Sequence, residues 1–257
     1  MNKYFFSSCL VLALALCSCS TNGLHISYTP DDDADFVSQS RSLSGFERVH
    51  VNGSPTVYFA QADSFSVRVK GPEDKIQNII TEVDGSTLTV RNKGKVGLIN
   101  MSFDMGKCSV YVTSPDLVGV SVSGSGDFFS RDNVDTDEID LRVTGSGNIE
   151  FSRLICDRCE ASVVGSGDLD IKHLDTRETS GTVVGSGDIN IKQINSLKTN
   201  LQVRGSGDIE VEFQSGCGSV DAEVLGSGDI TLKGEVKNFH MNKRGSGDVN
   251  TSRLVVK

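Results

Sequence analysis

The chain has 257 residues and carries 25 Lys and Arg against 34 Asp and Glu, a formal net charge of −9. That balance argues against nucleic acid as a partner and against an electrostatic grip on anionic lipid. Trp is absent and Tyr occurs only 4 times; rigid aromatic platforms of the kind that line sugar clefts are scarce, which weighs against a glycan groove.

Residues 1–19 read as an address. Lys3 supplies the positive start, and Phe5 to Leu16 is an apolar run too short to span a bilayer. It ends in Leu16-Cys17-Ser18-Cys19, which resembles a bacterial lipobox, with Leu at −3 and a small residue at −1 before the lipidated Cys. Cys19 is therefore the expected mature N-terminus; Cys17 fits less well because bulky Leu16 would precede it. The alternative is an ordinary cleaved signal with a chance Cys. Several acyl chains on Cys19 would hold the protein on a membrane without a transmembrane helix. Ser20 is not the Asp that often retains lipoproteins at the inner membrane, so an outer-membrane lipoprotein is expected, with the periplasmic and surface faces both open.

Residues 20–40, with Asp31-Asp32-Asp33-Ala34-Asp35 and Ser38-Gln39-Ser40, lack an apolar period and read as a flexible tether. Over 41–119 the pattern becomes strand-like: Val49-His50-Val51, Val57-Tyr58-Phe59, Phe65 to Val69, Leu88-Thr89-Val90 and Val110-Tyr111-Val112. Glu73 to Thr81, following Pro72, has Ile76, Ile79 and Ile80 at helical spacing and predicts a helix. Gly53-Ser54-Pro55 looks like a degenerate Gly-Ser-Gly. This stretch is read as irregular coils that start and cap the array that follows.

From 120 to 257 the tetrapeptide Gly-Ser-Gly-Asp/Asn recurs, beginning at Gly124, Gly145, Gly165, Gly185, Gly205, Gly226 and Gly245. Spacings of 21, 20, 20, 20, 21 and 19 residues mark a solenoid, one coil per repeat. Aligned on the motif, apolar residues form columns of period two, such as Ile149, Leu169, Ile189, Ile209 and Ile230 one residue after it, and Val122, Val143, Val163, Val183, Val203 and Val224 two before. Lys243 breaks the latter column. Like side chains then stack about 4.8 Å apart between coils, with Gly at the sharp corners. The expected fold is all-β, a right-handed parallel β-helix (β-solenoid) with about 20 residues and three short strands per coil.

Of seven Cys, four carry free thiols after processing and lipidation of Cys19: Cys108, Cys156, Cys159 and Cys217. Cys156-Asp-Arg-Cys159 has CxxC spacing, but no helical pattern surrounds it as a thioredoxin site needs, and no second pair completes a zinc site. Cys159 falls in an inward column with Ile139 and Val220 and is expected to be buried and quiet. Cys156, nearer a corner, is expected to be the more accessible.

The repeated Gly-Ser-Gly-Asp-Ile, the opening Phe46-Glu47-Arg48-Val49-His50-Val51-Asn52-Gly53, and Ser114-Pro115-Asp116-Leu117 ahead of the repeats resemble the head GIN domain of putative auto-transporter adhesins, a domain of unknown function frequent in Bacteroidetes lipoproteins. The resemblance covers roughly 45–257. It implies a β-helical solenoid on the cell envelope and brings no catalytic residues with it.

The fourth motif position holds Asp127, Asn148, Asp168, Asp188, Asp208, Asp229 and Asp248. Stacked carboxylates about 5 Å apart repel by about 0.8 kcal/mol per pair even in bulk water. One account has each Asp capping its own turn by accepting backbone N–H bonds; the other has weakly held Ca²⁺ between coils. Arg131, Lys172, Lys192 and Lys233 offer counter-charge without metal, so no cofactor or metal is called for. The reading is a non-enzymatic envelope lipoprotein, an adhesin-like binding solenoid held to the membrane by its lipid, with a protein or glycan ligand on one face. The alternatives are a polysaccharide-active enzyme or glycan-binding module, with a basic side chain as catalytic base, and a structural envelope scaffold.

Overall fold

Every repeat forms one coil of a parallel solenoid. In the computed structural model, residues 36–94 and 108–257 are described; Cys19, the leader and tether residues 20–35 lie outside them. The regular coils run through β8 (Gly119–Gly124), β9 (Asp127–Asp135), β10 (Glu138–Gly145), β11 (Asn148–Gly165), β12 (Asp168–Gly185), β13 (Ile189–Ile194), β14 (Ser196–Gly205), β15 (Ile209–Gly226), β16 (Ile230–Gly245) and β17 (Val249–Val256). Coils stack in register, Val143 on Val163 and Val163 on Val183. Between β11 and β12 the ladder comes in three stretches, Asn148 to Phe151, Leu154 to Cys156 and Arg158 to Gly165, so each coil has three faces. The apolar columns fill the interior, and the rings of Phe59, Phe128 and Phe151 stack there at 6.0 and 5.6 Å between centroids.

The Gly-Ser-Gly corner is set by backbone contact between coils. Gly185 has φ +128°, and a Cβ at Gly187 would sit 2.0 Å from the carbonyl oxygen of Gly167. The N–H groups of Ser186 and Gly187 both donate to the Gly165 carbonyl, at 2.8 and 3.1 Å. Only glycine permits both the left-handed corner and this approach. Gly53 joins the same column: it pairs with Gly124, and its carbonyl accepts from the Ser125 N–H at 2.8 Å.

The N-terminal strands stack out of chain order. The first coil, β2 (Arg48–Gly53) and β3 (Thr56–Gln61), lies between β8–β9 on one side and β6 (Thr87–Asn92) and β7 (Ser109–Ser114) on the other, all parallel. The chain therefore leaves the first coil, builds the outer one, and crosses back. Gln61 pins the crossing: its Nε2 donates to the carbonyls of Pro115 and Asp135, and its Oε1 accepts from the Asp135 N–H. Antiparallel strands cover the outer edge, with β4 (Ser66–Pro72) on β7, β1 (Phe36–Arg41) on β4, and β5 (Ile79–Asp84) on β6. They consume backbone groups that would otherwise template aggregation.

Two expectations are corrected here. The helix over Glu73 to Thr81 is a single turn, α1 (Glu73–Ile76). Ile79 instead enters β5, because pairing with β6 recruits the backbone that a longer helix would have kept. Residues 36–40 are not tether but strand, held by the β4 edge.

Candidate functional site

Three outward features distinguish the faces. The first is the motif ladder. Asp168, Asp188, Asp208 and Asp229 do not cap their own turns but accept from the next coil, whereas Asp248 in the last repeat accepts from the N–H of its own neighbour Val249. The N–H of Asp188 donates to Asp168 Oδ1 at 3.1 Å, that of Asp208 to Asp188 at 2.9 Å, that of Asp229 to Asp208 at 2.7 Å, and that of Asp248 to Asp229 at 2.7 Å. Asn148 does the same, accepting from the Asp168 N–H at 3.2 Å, while its Nδ2 donates to Asp127 Oδ1 at 2.8 Å. The corner directs the strand N–H toward the previous coil, where the side chain lies nearer than its own turn. These are inter-coil staples.

The basic column does not neutralise this ladder. Lys172 pairs with Glu150, Lys233 with Glu210, and Lys192 with Glu212 at 4.0 Å. Arg131 lies 5.9 Å from the centre of the Tyr58 ring. Among the ladder residues, Asp248 has a Lys partner, Lys243 Nζ at 2.7 Å, whose hydrogen bond holds its carboxyl below the usual range. Asp170, two residues past the motif, is pushed the other way by burial, with Glu150 adding to the rise and Lys172 opposing it. Among the described residues no cluster of His, Cys, Asp and Glu is arranged to hold a metal ion.

The second feature is aromatic, and sequence reasoning missed it. In register with Glu150 on the outward surface stand Phe129, Tyr58 and Tyr111, from β9, β3 and β7. The rings stack at 5.5 and 5.3 Å. Arg131 lies beside Tyr58, and Arg68 pairs with Tyr111 from β4. Farther along, the same column reads Glu150, Asp170, Asn190, Glu210 and Thr231. Both tyrosines of the described residues are thus gathered with Phe129 at one place, at the irregular end of an otherwise polar column.

The third is a shallow groove of about 430 Å³ on another face, lined by Ser180, Thr182, Asn200, Gln202, Asp221 and Glu223 among others. The Glu223 carboxylate accepts from Gln202 Nε2 and from Asn242 Nδ2, the latter at 3.0 Å. No Lys or Arg lines it.

The interior also holds polar groups. Where a coil turns between its second and third stretches, residues three apart both point inward: Cys156 and Cys159, Thr176 and Thr179, Ser196 and Thr199. Thr179 Oγ1 donates to Gln193 Oε1 at 2.9 Å, and Gln193 Nε2 to Thr199 Oγ1 at 2.6 Å. Cys159 is fully buried and Cys156, at 6% exposed, is the more accessible of the two as expected, though it too is buried. Alternation breaks at the corner, so both sulfurs face in. A hydrogen bond between the thiols lowers the Cys156 thiol and raises that of Cys159; the Thr176 hydroxyl, 3.6 Å from Cys156 Sγ, lowers Cys156 further, against burial.

Among the described residues, no helix is long and apolar enough to cross a membrane. Comparison with curated proteins returns no match. Solved structures share the fold. A putative adhesin from Bacteroides fragilis NCTC 9343 superposes with a TM-score of 0.71 at 22% identity, covering 84% of this chain and 97% of that one. A putative adhesin from Parabacteroides distasonis ATCC 8503 gives 0.66 at 24%, covering 85% and 97%. A putative lipid binding protein from the same organism gives 0.61 at 20%, covering 85% and 97%. A family profile described as putative auto-transporter adhesin, head GIN domain, matches residues 45–234 and 182–257, which spans the solenoid from its first coil to its last. The chain belongs to this family of head GIN domain proteins.

Proposed function

We propose that this protein is a non-enzymatic binding module of the bacterial envelope, adhesin-like, held on the outer membrane by lipid on Cys19. Its contact site is the outward stack of Tyr111, Tyr58 and Phe129 with Arg131 and Arg68. The observation that carries this reading is the break in the column: three stacked rings stand where farther coils carry Glu, Asp and Asn. Tyr and Arg anchors contribute disproportionately to protein contacts, through large rigid area and multidentate donors. A protein ligand offering carboxylates beside apolar surface fits this patch. The catalytic alternative is disfavoured because Lys172, Lys192 and Lys233, the bases it would use, stand against Glu150, Glu212 and Glu210.

The test is a protein and glycan array probed with the chain from residue 20 onward, wild type against Tyr58→Ala/Arg131→Ala. The double variant is expected to lose the protein signal at least tenfold while melting as a folded solenoid. Undiminished binding would refute the site. Membrane fractionation checks the anchor separately: Cys19→Ala should move the protein to the soluble fraction, and retention would refute lipidation there.

The groove supports a second reading. Its amides, hydroxyls and carboxylates, without a cation, suit a neutral glycan. Array signal on neutral oligosaccharides that Gln202→Ala abolishes and Tyr58→Ala spares would favour it.

A further inference from the structure

We propose that Cys156 and Cys159 form a disulfide-modification site, a covalent clasp across one corner of the solenoid that a disulfide-class oxidant closes. Both thiols are buried inside the coil, three residues apart across its corner. The backbone between them makes the turn tightly: the N–H groups of Asp157 and Arg158 donate to the one carbonyl of Asp137, at 2.9 and 3.3 Å. Thr176 holds Cys156 from the next coil. Its single hydroxyl proton is shared between the carbonyls of Asp157 and Glu178, at 3.2 and 3.1 Å, and its Oγ1 accepts from the Cys156 thiol at 3.6 Å.

The pair is singular among the corners. At the two corresponding corner positions the other coils carry Thr136 and Ile139, Thr176 and Thr179, Ser196 and Thr199, Cys217 and Val220, and Val236 and Phe239. Cys217 therefore has no thiol across its own corner, and it lies three coils from Cys156, about 14 Å by the strand spacing, beyond disulfide reach. Cys108 belongs to the outer N-terminal coil, packed against Gly71.

The order of reaction follows from burial and charge. Cys156 is the slightly exposed sulfur and the one stabilised as thiolate, and Cys159 is fully enclosed. The Cys156 thiolate attacks one sulfur of a disulfide RSSR, such as oxidised glutathione; the S–S bond breaks and RS⁻ leaves. Cys159 then gives up its proton and attacks the Cys156 sulfur of the mixed disulfide, expelling the second RS⁻. Both expelled thiolates take up protons, one of them the proton from Cys159. The protein is oxidised by two electrons, and RSSR is reduced to two RSH. Attack at buried sulfurs waits on opening of the corner, so closure is slow compared with an exposed CxxC.

The experiment incubates reduced full-length chain with oxidised glutathione, quenches in acid, and alkylates under denaturing conditions. Expected is a peptide spanning Cys156 and Cys159 that has lost two hydrogens and escapes alkylation, with Cys108 and Cys217 alkylated. The oxidised chain should melt higher than the reduced one, because the cross-link restricts the unfolded chain. Cys156→Thr and Cys159→Thr, residues the adjacent coil already places at both positions, should fold and lose that rise. Cys108→Ser should keep it. Full alkylation of both thiols after prolonged oxidation would overturn the proposal, as would a glutathione adduct on Cys156 that Cys159 never resolves.

Discussion

Asp188→Asn should stabilise the solenoid and Asp188→Ala should weaken it, although both remove the same charge. In the wild type, Asp188 Oδ1 accepts from the Asp208 N–H at 2.9 Å, and carboxylates lie one coil away on either side. At about 5 Å each like-charge pair costs about 0.8 kcal/mol in bulk water, less with salt. Asn removes two such repulsions, about 1.6 kcal/mol together, and keeps the acceptor, though the bond loses about 1 kcal/mol with its charge. Its Nδ2 can also donate to Asp168, as Asn148 does to Asp127 at 2.8 Å. The expected gain is about 1 kcal/mol at low salt, roughly 2–4 °C in Tm for a chain of this size. Ala relieves the same repulsion but strips the Asp208 N–H of a charge-assisted bond worth about 1.5–3 kcal/mol, which water partly replaces at this exposed edge. A net loss of about 1 kcal/mol follows. Thermal melts of the three proteins, at low and high salt and with and without chelator, provide the assay. Expected are the order Asn above wild type above Ala, a gain for Asn that shrinks with salt, and no response to chelator. Ala melting as high as Asn would refute the inter-coil staple. A lower wild-type Tm in chelator, blunted in Asp188→Asn, would mean that calcium fills the ladder.

Gly187→Ala should cost at least about 3 kcal/mol, in the severe range for single substitutions, because its Cβ would lie 2.0 Å from the Gly167 carbonyl oxygen; a chemical-denaturation midpoint close to wild type would contradict the contact. Asp170 makes a pH-dependent prediction. Burial raises its folded-state pKa, so the native chain holds its proton more tightly, and stability falls as pH rises from the unfolded carboxylate pKa through the folded one. Asp170→Asn should accordingly melt higher than wild type at pH 7, with the difference closing below the carboxylate range; an unchanged difference across pH would exclude desolvation as the cause. Gln193→Leu should lose about 1–3 kcal/mol by equilibrium unfolding, since Thr179 and Thr199 surrender their partner in a dry interior; a neutral result would show that these hydroxyls find other acceptors.

The regular coils were legible in the sequence because a stacked column repeats the same physical demand every coil. Val143, Val163 and Val183 occupy equivalent sites, and the motif glycines are fixed by the same clash each time. Legibility failed where that repetition ends. The placement of β6 and β7 outside the first coil depends on pairings between distant strands that no local period encodes. Ile79 has both helical and strand spacing, and the choice was made by a partner strand. The corner hid the second inward column, Cys156, Thr176, Ser196 and Cys217, because residues three apart obey neither period two nor a helix. The aromatic stack was invisible for another reason: Tyr58, Tyr111 and Phe129 come from three separate stretches of chain, and composition counted them as scarce without showing that they meet.

These failures have a common physical origin, and it bears on where function resides in a solenoid. In the regular coils each side chain serves its neighbours above and below: the ladder carboxylates before the last repeat accept from the next coil, Lys172 and Lys233 answer Glu150 and Glu210, and the interior columns cover one another. A column satisfied by its own repetition has little left to offer a partner. Surplus chemistry collects where repetition breaks. The Tyr111, Tyr58 and Phe129 stack lies at the irregular end of a polar column, and the Cys156–Cys159 pair occupies the one corner whose two inward positions are both sulfur. The seven-fold motif explains why the chain folds, and the exceptions to it indicate what the chain does.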